Sequence, residues 1–166
     1  MGQMKRLPRT DSPSPALKRV RLISDVLDNA IPIPGTPYRV GLDPILGLLP
    51  GGGDTIGAIL SVYIVFEAAR LGVSRDILLR MVGHVIMDAL LGVLPVLGDL
   101  ADVTWKANSR NLALLEAHID QPEAGQPIDR VFIVLLVMGL LATLLAIGIL
   151  AAWLVSLLFR WMVGGF

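Results

Sequence analysis

Apolar and polar positions along the chain alternate in blocks that predict helices rather than strands. Over residues 17–29, Leu17, Val20, Leu22, Ile23, Val26 and Leu27 fall mostly on one helical face while Lys18, Arg19, Arg21, Asp25 and Asp28 fill the rest, so the spacing predicts an amphipathic helix. This helix can lie on lipid headgroups or pack on the rest of the protein. Residues 31–37 hold three Pro and one Gly, too many for the interior of a helix or strand, and read as a rigid connector. A helix over 55–71 follows, with a charge-free stretch at 56–66 and Gly72 as its stop. At about 1.5 Å per residue that stretch reaches only part of the way through a hydrocarbon core about 30 Å thick. A further helix over 75–91, with Ser74 as its candidate cap, is charged in its first half and apolar in its second. Another runs from Asp99 through Trp105, Lys106, Arg110 and Leu115 to about Ile119. Residues 131–159 are different in kind, because they contain no charge and are bounded by Arg130 and Arg160. A stretch that exceeds the about 20 residues needed to cross a bilayer predicts a tilted or projecting transmembrane helix.

Between these blocks one twelve-residue phrase occurs twice, as Asp43-Pro-Ile-Leu-Gly-Leu-Leu-Pro-Gly-Gly-Gly-Asp54 and as Asp88-Ala-Leu-Leu-Gly-Val-Leu-Pro-Val-Leu-Gly-Asp99. The matched pairs Asp43/Asp88, Pro50/Pro95 and Asp54/Asp99 are not explained by apolar composition, and the phrase reads as an internal duplication. Two helices joined at Gly72 separate the copies, which places both Pro-x-x-Gly-Asp turns at the same end. The expected fold is therefore an all-α membrane protein. Residues 1–16 form a disordered basic tail, 17–30 the amphipathic helix, and 31–119 a duplicated helix, Pro-Gly turn, helix core that is membrane-embedded and partly re-entrant. Residues 120–129 form a linker and 130–160 the C-terminal transmembrane helix.

Composition supports this. The chain has 166 residues, 54% of them hydrophobic and 17% charged, and a soluble particle of that size lacks the interior to hide so much apolar surface. The formal net charge is zero, which argues against nucleic acid as a partner. There is no Cys and there are two His, which removes disulfides, thiolate chemistry and a histidine-rich metal site. No secretory signal pattern opens the chain. Residues 1–30 carry six basic against three acidic side chains, placing the amino terminus in the cytoplasm, with a bacterial inner membrane as the expected location.

Candidate chemistry is sparse. Asp43, Asp54, Asp88 and Asp99, if they converge at one depth, can hold a hard cation or relay protons; equally, Asp54 and Asp99 suit helix N-caps, which needs no ligand. Asp88 lies inside an apolar helical stretch, where capping does not account for it, and His84 one turn earlier can share a proton with it or simply order the core. Arg19, Arg21, Arg70 and Arg75 are candidates for lipid headgroups, beside the alternative of solvated ion pairs. Gly139, Ala142 and Ala146 supply small residues for docking the long helix against another. The Gly51-Gly52-Gly53 run lacks the Lys-Ser or Lys-Thr of a phosphate loop. No catalytic constellation is present, no cofactor is implied, and the metal, if any, is not specified.

The phrases Leu42-Asp-Pro-Ile-Leu-Gly-Leu-Leu-Pro-Gly-Gly-Gly-Asp-Thr-Ile-Gly57, Leu94-Pro-Val-Leu-Gly-Asp99 and Trp105-Lys-Ala-Asn-Ser-Arg-Asn111 together resemble the bacterial and fungal domain-of-unknown-function 4112 family over about residues 24–119. The resemblance implies a membrane-associated repeat and no particular reaction. Three classes of function follow as expectations. The first is a non-enzymatic accessory or interaction subunit whose partners are membrane lipid and other membrane subunits or itself. The second is a small oligomeric ion transporter or channel using the repeated Asp residues. The third is a lipid-modifying membrane enzyme.

Overall fold

The computed structural model describes residues 14–42, 53–93, 105–120 and 128–164. In chain order these form α1 (Pro15–Asn29), a two-stranded antiparallel ribbon of β1 (Ile31–Pro32) and β2 (Arg39–Val40), α2 (Gly53–Arg70), α3 (Arg75–Gly92), α4 (Ala107–Asp120) and α5 (Arg130–Gly164). The fold is helical as expected, and its boundaries have local causes. α1 starts two residues earlier than the apolar spacing predicts, because Ser14 Oγ accepts the Leu17 N–H at 3.2 Å and Pro15 occupies the first turn with its φ already set. α2 stops where Gly72 takes φ +86°. There the Val73 N–H bonds Ala68 O at 3.3 Å and the Gly72 N–H bonds Ala69 O at 3.2 Å, the paired closure that a left-handed residue permits.

Two expectations are corrected. The Pro-rich connector contains a short strand pair, Ile31 opposite Val40 and Pro32 opposite Arg39; Pro32 is tolerated because a two-stranded ribbon leaves its outer edge free of ladder bonds. Trp105 and Lys106 are not helical: Lys106 adopts φ +46° and α4 begins only at Ala107. Of the tail expected to be disordered over 1–16, residues 14–16 are ordered at the start of α1; residues 1–13, Asp43, the Asp99 cap and residues 121–127 of the linker expected over 120–129 lie outside the described residues.

Contacts fix how the helices run. Arg19 on α1 meets Glu67 on α2 while Leu22 and Ile23 lie beside Leu60 and Tyr63, so α1 and α2 are antiparallel. His84 reaches Asn111 and its carbonyl receives the Trp105 indole N–H, so α4 runs back along α3. Arg21 with Glu116 and Asn29 with Ser109 make α1 and α4 antiparallel. α5 starts beside the α2–α3 turn, where Arg75 lies 3.6 Å from Asp129 and its guanidinium sits 4.7 Å from the Phe132 ring centroid. Two ends result. One holds Ser14, Gly72, Asp120 and Asp129. The other holds Asn29, the ribbon, Gly53, Gly92 and Trp105, and with them the described ends of the repeated phrase, Gly53 in the first copy and residues 88–93 in the second.

The core lies around α2, whose Val62, Ile64, Val65, Ala68 and Ala69 pack with Leu17 and Val20 of α1, Leu78, Met81 and Val85 of α3, Leu115 of α4 and Leu140 of α5. α1 thus applies its apolar face to α2 and α4. α5 joins the core through Phe132, Ile133, Leu136, Val137, Leu140 and Leu144, while Val131, Leu135 and Met138 on its opposite face are exposed at 67%, 66% and 60%.

Candidate functional site

The densest polar cluster among the described residues joins the last turn of α1 to the first turn of α4. Asp28 shares the buried face of α1 with Leu17, Val20, Ser24 and Leu27, an acid set in line with an apolar stripe. Its Oδ2 accepts the backbone N–H of Ser109 at 2.6 Å and its Oδ1 accepts Asn108 Nδ2 at 2.9 Å. The carboxylate thereby satisfies an orphan amide at the α4 amino terminus and faces the positive end of that helix dipole. The left-handed Lys106 swings its ammonium back onto α1 and the ribbon, donating to Asn29 Oδ1 at 2.7 Å and to Arg39 O at 2.9 Å. Asn29 completes the ring, its Nδ2 donating to Ser109 Oγ at 2.9 Å and its carbonyl accepting Arg39 Nε at 2.8 Å. Gly41 is required beside it, since a Cβ there would fall 1.4 Å from Leu27 O.

One turn along α4, buried Asn111 ties α4 to α3. Its Nδ2 donates to Met81 O at 3.2 Å, which leaves Oδ1 as the acceptor for His84 Nδ1 at 2.8 Å. This assignment puts the His84 proton on Nδ1. Trp105 closes over the pair, edge-on to the imidazole with centroids 6.0 Å apart, and Arg110 stacks 4.4 Å above the indole while its Nε donates to Trp105 O. The motif Trp105-Lys-Ala-Asn-Ser-Arg-Asn111 thus works as a set of joints: Lys106, Asn108 and Ser109 toward α1, Asn111 toward α3, and Arg110 onto Trp105.

The second charged cluster centres on Glu67. It is buried, yet it accepts Tyr63 Oη at 2.8 Å and Arg19 Nη2 at 3.2 Å, with Arg70 Nη1 at 3.5 Å. Burial alone pushes its pKa up; the Tyr63 and Arg19 hydrogen bonds and the two guanidinium charges outweigh that and hold it below the ordinary glutamate value. The same bonds raise the Arg19 guanidinium.

The residues singled out from the sequence are dispersed. Asp43 and Asp99 lie outside the described residues, and of Asp54 only the backbone, in the first turn of α2, is described. Asp88 is half-buried on the last turn of α3. His84 commits its Nδ1 to α4. Arg19 and Arg21 engage Glu67 and Glu116, and Arg70 and Arg75 pair with Glu67 and Asp129. Gly139, Ala142 and Ala146 share the uncovered side of α5, and a Cβ on Gly139 meets nothing within 4 Å. Among the described residues no group of three acidic or His side chains is placed to hold a metal ion. Asp28 escaped the sequence reading because it looked like one more polar residue of an amphipathic helix; its alignment with Ser24 and Leu27 was the signal available.

Chemically these clusters are self-satisfied. Their donors and acceptors are consumed in holding helices together, with buried Asn108 Oδ1 and Ser24 Oγ as polar atoms without a partner among the described residues. α5 is the one helix among the described residues long and apolar enough to cross a membrane, over Arg130–Val163. No curated protein and no solved structure matches the chain. Residues 16–119, which take in all but the end residues of α1 to α4 and both the Asp28 and the Asn111 clusters, match the profile of the domain of unknown function DUF4112, and the chain belongs to that family.

Proposed function

We propose that the protein is a non-enzymatic, membrane-anchored interaction subunit. α5 is its anchor, and the DUF4112 bundle is held in the cytoplasm at the surface of a bacterial-type inner membrane. The observation that carries this reading is the two-sidedness of α5 over residues 131–144. Leu140 is 2% exposed against the bundle, whereas Val131, Leu135 and Met138 opposite it are bare. At the same level the bundle carries the ion pairs of Arg19 with Glu67 and Arg21 with Glu116, with arginine side chains 52% and 47% exposed. Exposed charges are costly in hydrocarbon, so this level lies in water and the bare apolar face there needs a protein cover. The re-entrant core expected from the sequence gives way in this reading to a bundle outside the bilayer. The described parts of the two copies, Gly53 in the first and residues 88–93 in the second, lie at one end of the bundle, as a repeated helix, turn, helix unit requires. Small residues at Gly139 and Ala142 let a partner helix approach closely.

Native mass spectrometry of protein extracted in nanodiscs tests this. Wild type and Asp88→Asn should carry a stoichiometric partner chain or second copy, and Gly139→Leu and Ala142→Leu should lose it while the bundle stays folded. A lone wild-type chain defeats the proposal. So does ion flux in liposomes that Asp88→Asn abolishes, which would move the assignment to a transporter.

A further inference from the structure

The bundle has two unlike ends, and α5 leaves past only one of them. Leu144 is the last α5 residue packed on the core, and α5 begins at the Gly72 end beside Asp129 and Arg75, so its bare remainder emerges past the ribbon end. Residues 145–163 then span about 28 Å, one hydrocarbon thickness of about 30 Å. Arg160 and Trp161 stand near its far limit, where an amphipathic cation and an indole suit an interface. The ribbon end therefore faces the membrane. Among the described residues that end presents Tyr38, exposed at 56%, and Ile31, together with Trp105 and the cations Arg39, Lys106 and Arg110. The opposite end carries both signs, the exposed acids Asp76, Asp120 and Asp129 beside the exposed cations Arg70 and Arg130, so it is the exit of α5, and not net charge, that sets the orientation. Aromatic rings and basic side chains gathered on one face are what the headgroup layer retains.

We infer that the ribbon end, through the exposed Tyr38, Arg39 and Arg110, rests on the phospholipid headgroups of the membrane that α5 crosses. The inference rests on the anchor reading above and adds an orientation: the bundle stands on its ribbon end, with the Gly72 turn farthest from the lipid.

The chain has no Cys, so a single introduced thiol reports one position. Full-length Tyr38→Cys, Asp76→Cys and Phe159→Cys are each labelled with an environment-sensitive fluorophore. They are reconstituted in vesicles of phosphatidylcholine with a minority of phosphatidylglycerol, containing a nitroxide either on the headgroup or deep on the acyl chain. The label at position 38 should be quenched several-fold more strongly by the headgroup nitroxide than by the acyl one, the label at 76 by neither, and the label at 159 by lipid nitroxide in both cases. Equal quenching at 38 and 76, or none at 38, overturns the orientation while leaving the anchor intact. Strong acyl-chain quenching at 38 overturns it in favour of an inserted bundle. Absence of quenching at 159 identifies failure of the anchor itself.

Discussion

Asp28 closes the amino terminus of a helix that begins almost eighty residues later: its carboxylate accepts the backbone N–H of Ser109 at 2.6 Å. The long-range cap stands where a local one would ordinarily be, because the residue before α4 is Lys106, whose side chain donates and cannot accept. α1 and α4 are therefore locked in register by a bond that neither helix forms alone.

Asp28→Ala removes that cap and leaves Asn108 Nδ2 without its acceptor. Loss of a buried charged acceptor of this kind costs about 1–3 kcal/mol, so the thermal midpoint in detergent, followed by circular dichroism, should fall by several degrees. Asp28→Asn should recover part of the loss, since its Oδ1 still accepts one N–H.

The Glu67 carboxylate is held below its ordinary pKa by Tyr63 and the arginines. A depressed carboxylate contributes stability that is complete above the unfolded value of about 4.3 and is lost as pH falls through the folded value. Unfolding free energy measured against pH should thus decline on acidification below about pH 4, and Glu67→Gln should be less stable near neutrality with a flatter acid limb. An unchanged acid limb in Glu67→Gln would show that other carboxylates dominate.

Gly41→Ala drives a methyl group into Leu27 O. The backbone there is pinned by the Leu42 N–H to Val26 O bond at 3.1 Å, so neither side can move without breaking the ribbon from α1. Destabilisation of more than about 3 kcal/mol is expected, seen as loss of folded protein on size exclusion, whereas Gly83→Ala, which meets nothing within 4 Å, should be neutral or better.

Leu140 and Met138 are two residues apart on α5 and have opposite fates. Leu140→Ala opens a cavity against the core and should cost about 2–5 kcal/mol, exposing 128–144 to limited proteolysis. Met138→Ala should leave the melting curve of the isolated protein in place and weaken only its association with whatever covers that face.

The elements were legible because their causes are local. The period of Leu17, Val20 and Leu27 announced α1, and the glycine after Leu71 announced the end of α2, since only a residue free of Cβ strain adopts that φ readily. Trp105 and Lys106 misled because both tolerate helix; only the fold shows Lys106 turned left-handed to reach Asn29 and Arg39.

What the sequence alone determined is the helical content, the long charge-free helix and the family motif, all properties of neighbouring residues. Tertiary structure decided the rest: that Asp28 is a cap for α4, that His84 answers to Asn111, that the arginines of α1 meet glutamates, and which face of α5 is left bare. Each of these depends on two segments meeting across tens of residues, and a polar side chain carries no mark of its partner until packing brings that partner within hydrogen-bond distance.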